Sequence, residues 1–143
     1  MATVKVLLEK KEKGFWTVIP ETTAYEALQL MADRDVGALM VVRGSKLLGI
    51  FTERDYSRKV VLKGRSSRET PVSELMSTGV YCVTPGDTTE QCMQIMNGKR
   101  VRHLPVLEDG HLVGLVSIRD VVKMIISEKE ATIKDLEQYI ISG

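Results

Sequence analysis

The stretch GIFTERD at residues 49–55 recurs 65 residues later as GLVSIRD at residues 114–120. The correspondence runs without a gap from residues 14–55 to residues 79–120, with one constant offset (79 − 14 = 65; 120 − 55 = 65). A repeat of this length indicates two copies of one structural unit. The identical pairs include Val18/Val83, Pro20/Pro85, Thr23/Thr88, Gln29/Gln94, Met31/Met96, Val36/Val101, Leu39/Leu104, Val41/Val106, Leu47/Leu112, Gly49/Gly114, Arg54/Arg119 and Asp55/Asp120.

Each half of the repeat predicts the same order of elements, β-α-β-β-α. In the first half, an apolar strand at 16–19 precedes a proline, and a helix with apolar residues at helical spacing follows. Apolar strands at 38–42 and 47–51 flank a polar turn containing glycine, which is typical of a hairpin. A second helix is predicted to begin near Glu53. The second half repeats these elements, so the predicted fold is a mixed α/β (α+β) one.

The repeat also predicts the domain organisation. A unit of about 60 residues is only marginally stable alone, so we expect the two repeats to pack against each other about a pseudo-twofold axis. Repeat 1 is assigned to residues 1–62 and repeat 2 to residues 72–127, joined by a polar linker at 63–71 that ends in proline. Residues 128–143 predict an amphipathic C-terminal helix, which either packs on its own domain or docks a partner or second subunit. Its apolar stripe consists of Ile133, Leu136 and Ile140.

The composition excludes several classes of function. Hydrophobic residues make up 43% and charged residues 27% of the 143-residue chain, and the formal net charge is +1. The near-zero net charge therefore gives the protein no overall attraction to nucleic acid or to an acidic membrane. No apolar run approaches the ~20 residues of a membrane helix. Cys82 and Cys92 fit no zinc or redox spacing and indicate a reducing compartment. We therefore expect a cytoplasmic protein without a metal site.

The two halves, with their closing GIFTERD and GLVSIRD stretches and the run RVRHLPV at 100–106, resemble a tandem pair of CBS (cystathionine-β-synthase-type) domains. The resemblance covers residues from about 4 to 126. Because no catalytic domain accompanies the pair, it resembles the stand-alone CBS-pair proteins. This implies a ligand-sensing module, often a homodimer, that binds an adenosine-containing ligand between its repeats and signals to an unknown regulated protein. The candidate ligands are AMP, ADP, ATP, NAD(H) and S-adenosylmethionine.

The motif Thr52-Glu53-Arg54-Asp55 has two interpretations. It is predicted at a strand-to-helix junction, where free N–H groups favour an anion, a hydroxyl can donate to phosphate and a carboxylate can accept from ribose hydroxyls. The same spacing is also a helix-capping pattern. Both interpretations can hold together, here and at Ser117–Asp120, where the pattern recurs.

The resemblance implies that each aspartate shares a cleft with the middle strand of the other repeat. The repeat places Gly37 and Ala38 where its partner half has Arg102 and His103. Arginine binds phosphate through a planar fork and protonated histidine adds charge, so the Asp55 cleft is expected to be the principal one. The structural alternatives are a solvated strand edge for Arg102 and a hydrogen-bonded structural histidine for His103. The principal cleft is predicted to contain Thr52, Arg54, Asp55, Arg58, Tyr81, Val101, Arg102 and His103, and a second cleft Trp16, Val36, Gly37, Ala38, Ser117, Arg119 and Asp120.

Two other classes of function compete with this interpretation. An enzyme is disfavoured, because none of the common catalytic or nucleotide-loop motifs occurs, and Cys92 falls on an apolar helix stripe. The alternative to a sensor is a nucleotide-independent protein–protein or nucleic-acid interaction module. Its basis is a locally basic stretch between Arg54 and Arg68, whose usual meaning is a solvated helix end and linker. Strongly salt-dependent DNA binding would favour that alternative.

Overall fold

A computed structural model describes residues 2–11 and 14–142. It contains two small sheets with helices around them, which confirms the mixed α/β prediction. Strands β1, β2 and β3 form one sheet, in which β1 and β2 are parallel and β2 and β3 antiparallel; β4 and β5 form an antiparallel pair. The elements are α1 (Val4–Lys10), β1 (Thr17–Val18), α2 (Ala24–Arg34), β2 (Ala38–Arg43), β3 (Lys46–Thr52), α3 (Glu53–Asp55, continued by a π-helical turn at Tyr56–Val61), a 3₁₀ turn at Val72–Glu74, α4 (Thr89–Lys99), β4 (His103–Glu108), β5 (His111–Ser117) and α5 (Ile118–Ser142).

The predicted first strand of each repeat is shorter than expected, and the shortening differs between the repeats. In repeat 1 it consists of Thr17 and Val18, and the carbonyl of Trp16 accepts a hydrogen bond from the Met40 N–H at 3.1 Å. In repeat 2 the predicted strand at 81–84 is reduced to one bridge between Val83 and Val106. The residue equivalent to Met40 is Pro105, which has no N–H to donate. The missing donor explains why this strand does not form.

The segment before the first strand of each repeat, here called its leader, crosses to the opposite repeat and packs on it. The leaders are residues 2–11 and residues 72–79. Although the sequence assigns residues 1–62 to repeat 1, α1 packs on repeat 2, where Val4 and Leu7 are 0% and 3% exposed within its core. Conversely, Val72 and Leu75 lie in the core of repeat 1. Each leader thus buries apolar side chains in the core of the opposite repeat. Such burial stabilises the fold by roughly 25 cal/mol for each Å² of apolar surface removed from water. The leaders correspond at an offset of 68 (72 − 4 = 68; 75 − 7 = 68).

The glycines of the GIFTERD and GLVSIRD stretches permit this crossing. A Cβ atom at Gly49 would lie 2.7 Å from the backbone oxygen of Ser77, and one at Gly114 would lie 2.8 Å from Cδ1 of Leu8. Both distances are shorter than a Cβ contact allows. The leader therefore passes directly over β3 or β5, and only glycine leaves room for it.

The two repeats meet through the apolar faces of their sheets. Met40 and Ile50 of repeat 1 and Leu115 of repeat 2 belong to one buried cluster with Ala38, and each is at most 7% exposed. Ile50 and Leu115 are equivalent positions of the repeat, so the contact is the one that a pseudo-twofold arrangement predicts.

The predicted linker lies against the start of α2. The Ala24 N–H donates to the Thr70 carbonyl at 2.8 Å, and the Tyr25 N–H donates to the Ser67 carbonyl at 2.9 Å. These are two of the N–H groups that the first turn of a helix leaves without an intrahelical acceptor. The guanidinium of Arg68 also lies 3.9 Å from the centroid of the Tyr25 ring. The linker therefore caps α2 as well as joining the repeats.

The C-terminal helix is confirmed, but it is not a separate element. Helix α5 runs unbroken from Ile118 to Ser142, across the predicted boundary at residue 128. Residues 129–141 are exposed, including Ile133 (56%) and Ile140 (75%), so the stripe does not pack on its own domain. None of the helices in the described part of the chain is both long and apolar enough to cross a membrane.

Candidate functional site

A cavity of about 680 Å³ lies between the repeats at the start of α5. Repeat 2 and α1 form one side of it, and the start of β2 with the residues before β1 forms the other. All seven residues predicted for the second cleft line it, together with two predicted for the principal one. These nine residues are Trp16, Val36, Gly37, Ala38, Ser117, Arg119 and Asp120, and Arg102 and His103.

The carboxylate of Asp120 is held in the cavity by a capping box. Its Oδ2 accepts from the Ser117 N–H at 2.9 Å, while the Asp120 N–H donates to the Ser117 hydroxyl at 3.1 Å. The capping interpretation of this motif is thus confirmed, and the cap also fixes where the carboxylate points. Among the described residues, Oδ1 of Asp120 has no hydrogen-bond partner.

Lys11 reaches the same carboxylate from the end of α1. Its Nζ lies 2.9 Å from Oδ2 of Asp120 and donates to the Leu115 carbonyl at 2.8 Å. Burial alone raises the pKa of Asp120, but the Ser117 N–H and the Lys11 ammonium outweigh it and hold that pKa below its ordinary value of 3.8. Sequence reasoning missed Lys11 because it precedes the aligned repeat, where no pattern singles it out.

The cavity carries an excess of positive charge. Of the described residues that line it, the acidic ones are Asp35 and Asp120, against five basic side chains. Such an excess attracts anions and raises their local concentration. The basic side chains are Lys10, Lys11, Arg102, Arg119 and Lys123.

His103 lines the cavity as a neutral group. Burial, aided by the charges of Lys11 and Arg102 and opposed by Asp120, lowers the pKa of His103 below its ordinary value of 6.5. The lowered pKa favours the neutral imidazole at neutral pH, so the positive charge of the cavity comes from its lysines and arginines. The neutral imidazole can still donate or accept one hydrogen bond.

One wall of the cavity is apolar. Phe15, Trp16, Val36 and Ala38 contribute to it from repeat 1, and Leu115 from repeat 2. One face of the Trp16 ring is already occupied, because the Arg34 guanidinium lies 4.1 Å from the ring centroid. A flat apolar surface beside cations and a carboxylate suits a ligand with an aromatic part, a hydroxylated part and an anionic part.

The environment of Asp55 is different, although the residue occupies the equivalent position in repeat 1. Oδ2 accepts from both the N–H and the hydroxyl of Thr52, at 3.0 and 3.1 Å. Oδ1 lies 3.1 Å from Nζ of Lys59 and 3.3 Å from the Ser77 hydroxyl. Both carboxylate oxygens therefore have partners within the protein, and the residue is only 8% exposed. Lys59, which lies in the basic stretch between Arg54 and Arg68, is part of this cluster although its side chain is 42% exposed.

The other residues predicted for the principal cleft are dispersed. Arg54 and Arg58 are exposed, and Val101 packs against the core of repeat 2. Tyr81 is 45% exposed, with Nζ of Lys99 lying 5.4 Å from its ring centroid. Arg102 and His103 line the Asp120 cavity, where the Arg102 carbonyl accepts from the Ile118 N–H at 2.9 Å. The geometry therefore favours the cleft that the sequence ranks second.

Neither thiol is set up as a nucleophile. Burial raises the pKa of Cys92 to about 11 and also raises the pKa of the half-buried Cys82. The reactive form of cysteine is the thiolate, and the raised pKa values disfavour that form for both side chains near neutral pH. Within the described part of the chain, no group of three or more His, Cys, Asp or Glu residues could hold a metal ion.

Two solved proteins with CBS domains share this fold and were solved with adenosine ligands. The CBS protein PAE2072 from Pyrobaculum aerophilum, solved with AMP, matches with a TM-score of 0.75 and 21% identity, over 83% of this chain and 89% of its own. The CBS domain pair of MJ0100, solved with 5′-methylthioadenosine and S-adenosyl-L-methionine, matches with a TM-score of 0.77 and 20% identity, over 90% and 98%. Some CBS pairs of this fold thus hold adenosine ligands.

More similar proteins establish the family. The CBS domain-containing protein CBSX3, mitochondrial, from Arabidopsis thaliana is 37% identical over 150 aligned positions, which cover 99% of this chain and 73% of that protein. A solved protein with CBS domains from Burkholderia ambifaria MC40-6 is 46% identical, with a TM-score of 0.84 over 88% of this chain and 95% of its own. Residues 12–61 and 72–127 each match the CBS domain. The chain therefore belongs to the CBS-domain family, and it carries two CBS domains in tandem.

Proposed function

We propose that this protein is a regulatory module that binds a phosphate-bearing adenine nucleotide in the Asp120 cavity. The observation that carries the proposal is the juxtaposition, in one cavity, of the Asp120 carboxylate, whose Oδ1 has no partner among the described residues, with five basic side chains and an apolar wall. The volume of about 680 Å³ lies within the range of small-molecule sites. AMP, ADP, ATP and NAD(H) all fit this chemistry.

Each part of such a ligand has a counterpart in the cavity. Oδ1 of Asp120 can accept from a ribose hydroxyl, and the apolar wall can contact the base. Arg102 and Arg119 can bind phosphate through their planar guanidinium groups. S-adenosylmethionine is a poorer fit, because its sulfonium is a cation and it has no phosphate for the basic side chains.

The regulatory mechanism that we propose is a shift in the relative angle of the repeats. A ligand in this cavity contacts Asp120 of repeat 2 and Gly37 and Ala38 of repeat 1. It can shift the angle only by the difference in its affinity for the two arrangements. The output is then a changed affinity for a regulated protein, without catalysis by this chain. Its location in the cytoplasm stays a prediction.

The experiment that tests the proposal is calorimetric titration of nucleotide-stripped protein with AMP, ATP, NAD⁺, NADH and S-adenosylmethionine. Asp120→Ala and Asp55→Ala form a matched pair, because each removes one capping carboxylate from a strand-to-helix junction. We expect saturable binding of a phosphate-bearing ligand that Asp120→Ala abolishes and Asp55→Ala preserves. Loss of binding only in Asp55→Ala would move the site to the other cleft. No binding at millimolar concentration would refute the proposal.

A second function is supported by helix α5. The residues of its apolar stripe, Ile133, Leu136 and Ile140, are 56%, 56% and 75% exposed, and Ile126, seven residues before Ile133 and 52% exposed, extends the stripe. This spacing is typical of a coiled-coil seam, and in a parallel pair the flanking acids Glu130 and Glu137 do not face each other. We propose that the stripe pairs with a second copy of the chain, which would make the protein a homodimer.

Sedimentation equilibrium tests the pairing through two adjacent substitutions that each introduce a glutamate. Ile133→Glu places the charge on the stripe, whereas Lys134→Glu places it beside the stripe. We expect a dimer for the wild type and Lys134→Glu, and a monomer for Ile133→Glu. A dimer that survives Ile133→Glu would exclude the stripe as the interface.

A further inference from the structure

Lys11 occupies an unusual position in the chain. It directly follows α1, which Val4 and Leu7 anchor in the core of repeat 2. The chain then leads from it to β1 of repeat 1. Its side chain is 16% exposed, and its Nζ is shared between Asp120 and the Leu115 carbonyl. The cation at Asp120 is therefore supplied by the segment that connects α1, which packs on repeat 2, to β1 of repeat 1.

The equivalent site in repeat 1 is built differently. The segment that precedes the first strand of repeat 2, residues 72–79, contains no lysine or arginine that could take the place of Lys11. The cation beside Asp55 is instead Lys59, four residues later on the same helical segment. Its counterpart at the offset of 65 is Met124. The Lys11–Asp120 pair is thus a feature of one cleft and not a consequence of the duplication.

This ion pair bears directly on what the cavity can bind. A ribose carries two neighbouring hydroxyls: one can donate to Oδ1 of Asp120, and the second then meets Oδ2, which the Lys11 ammonium already occupies. The hydroxyl competes with the ammonium there but brings no charge to replace it. If a neutral nucleoside displaced Lys11, the half-buried ammonium would keep only the Leu115 carbonyl. An uncompensated charge in such a place costs free energy. A phosphate-bearing ligand avoids this cost, because the phosphate supplies a new anionic partner.

We infer that Lys11 is a specificity-determining residue that admits phosphorylated adenine nucleotides and discriminates against the corresponding nucleosides. The inference rests on the proposed function of the Asp120 cavity and adds the selection among its ligands. The same exchange of partner would act on the connection between α1 and β1, and so on the contact between the two repeats.

The test compares AMP with adenosine, which differ only in the phosphate, by titration of the full chain. For the wild type we expect AMP to bind about tenfold or more tightly than adenosine. In Lys11→Met, adenosine should bind several-fold more tightly and AMP more weakly, so that the ratio approaches one. Lys5→Met is the control, because Lys5 is exposed on α1 and does not line the cavity. It should leave the affinities for AMP and adenosine unchanged.

The outcomes separate this inference from the proposed function. If wild-type protein binds AMP but Lys11→Met leaves the ratio unchanged, Lys11 is a structural residue and the inference is overturned. If wild-type protein binds neither ligand, the proposed function fails and the role of Lys11 fails with it. Lys11→Arg keeps the charge and should keep the discrimination. It also answers the objection that Lys11→Met has merely destabilised the fold.

Discussion

Asp55 and Asp120 are equivalent residues of the repeat, but their carboxylates have different surroundings. Both complete a capping box at a strand-to-helix junction. Beyond its cap, Asp55 is bound by Lys59 and by the Ser77 hydroxyl, whereas Asp120 is bound by Lys11 and borders the cavity. The same local motif thus bonds wholly within the protein in one repeat and borders a cavity in the other.

This difference predicts how Asp55 contributes to stability. Asp55→Ala removes the cap and leaves Lys59 without its anionic partner. We expect the free energy of unfolding to fall by about 2 kcal/mol, discounted for the partial exposure of Lys59, with nucleotide affinity nearly unchanged. Urea denaturation provides the measurement. Glu53→Ala, at an exposed position two residues earlier, is the control and should cost far less. Equal costs for the two variants would contradict a structural role for Asp55.

The crossing leaders predict unequal effects at the two motif glycines. Gly49→Ala forces a methyl group against the backbone oxygen of Ser77, whereas Gly114→Ala meets only the end of the Leu8 side chain. Both should destabilise through overpacking, by about 1–3 kcal/mol, with Gly49→Ala the worse because backbone moves less readily.

A second substitution makes the steric origin of these effects testable by thermal denaturation. Leu8→Ala removes the atoms that a methyl group at position 114 would meet, so it should restore part of the stability lost in Gly114→Ala. It should not help Gly49→Ala, which lies on the other repeat. If the two double variants behave alike, the contact described for Leu8 does not account for the loss.

His103 predicts acid sensitivity below about neutral pH. Because burial lowers the pKa of His103 below 6.5, the unfolded chain binds a proton more readily than the folded chain. Stability then rises with pH between the two pKa values and is lost as the pH falls below about 6.5. The lowered pKa of Asp120 acts in the same direction, but only below about pH 3.8. Denaturation midpoints at pH 7 and pH 5 should therefore differ.

Replacing the imidazole isolates this contribution. His103→Gln should flatten the dependence of stability on pH between 7 and 5, while His111→Gln, at an exposed strand end, should not. An unchanged pH profile in His103→Gln would show that other groups dominate the acid response.

The cysteines predict an order of reactivity with thiol reagents. Cys92 is fully buried and its pKa is about 11, whereas Cys82 is half-buried with a smaller rise in its pKa. At pH 8, alkylation should therefore be slow, and mass spectrometry should find Cys82 modified first. Modification of Cys92 should follow unfolding, so added denaturant should accelerate it strongly. Rapid labelling of native Cys92 would contradict its place in the core of repeat 2.

The sequence alone determined the repeat, the hairpins, the helix starts at Glu53 and Ile118 and both aspartate caps. These features depend on residues a few positions apart and on the constant offset of 65 residues between the two halves. It also placed Trp16, Gly37 and Asp120 together, because the family resemblance supplies that long-range pairing.

Only the tertiary structure decided which of the two carboxylates borders a cavity. Lys11 meets Asp120 across more than a hundred residues, and Ser77 meets Asp55 because its leader crosses onto the opposite repeat. Neither contact follows from local spacing or from the duplication, since residues 72–79, which precede the first strand of repeat 2, contain no lysine. The two halves carry the same motif, but different chain segments pack over its two copies. The Asp55 carboxylate is therefore bonded within the protein, whereas the Asp120 carboxylate borders a cavity.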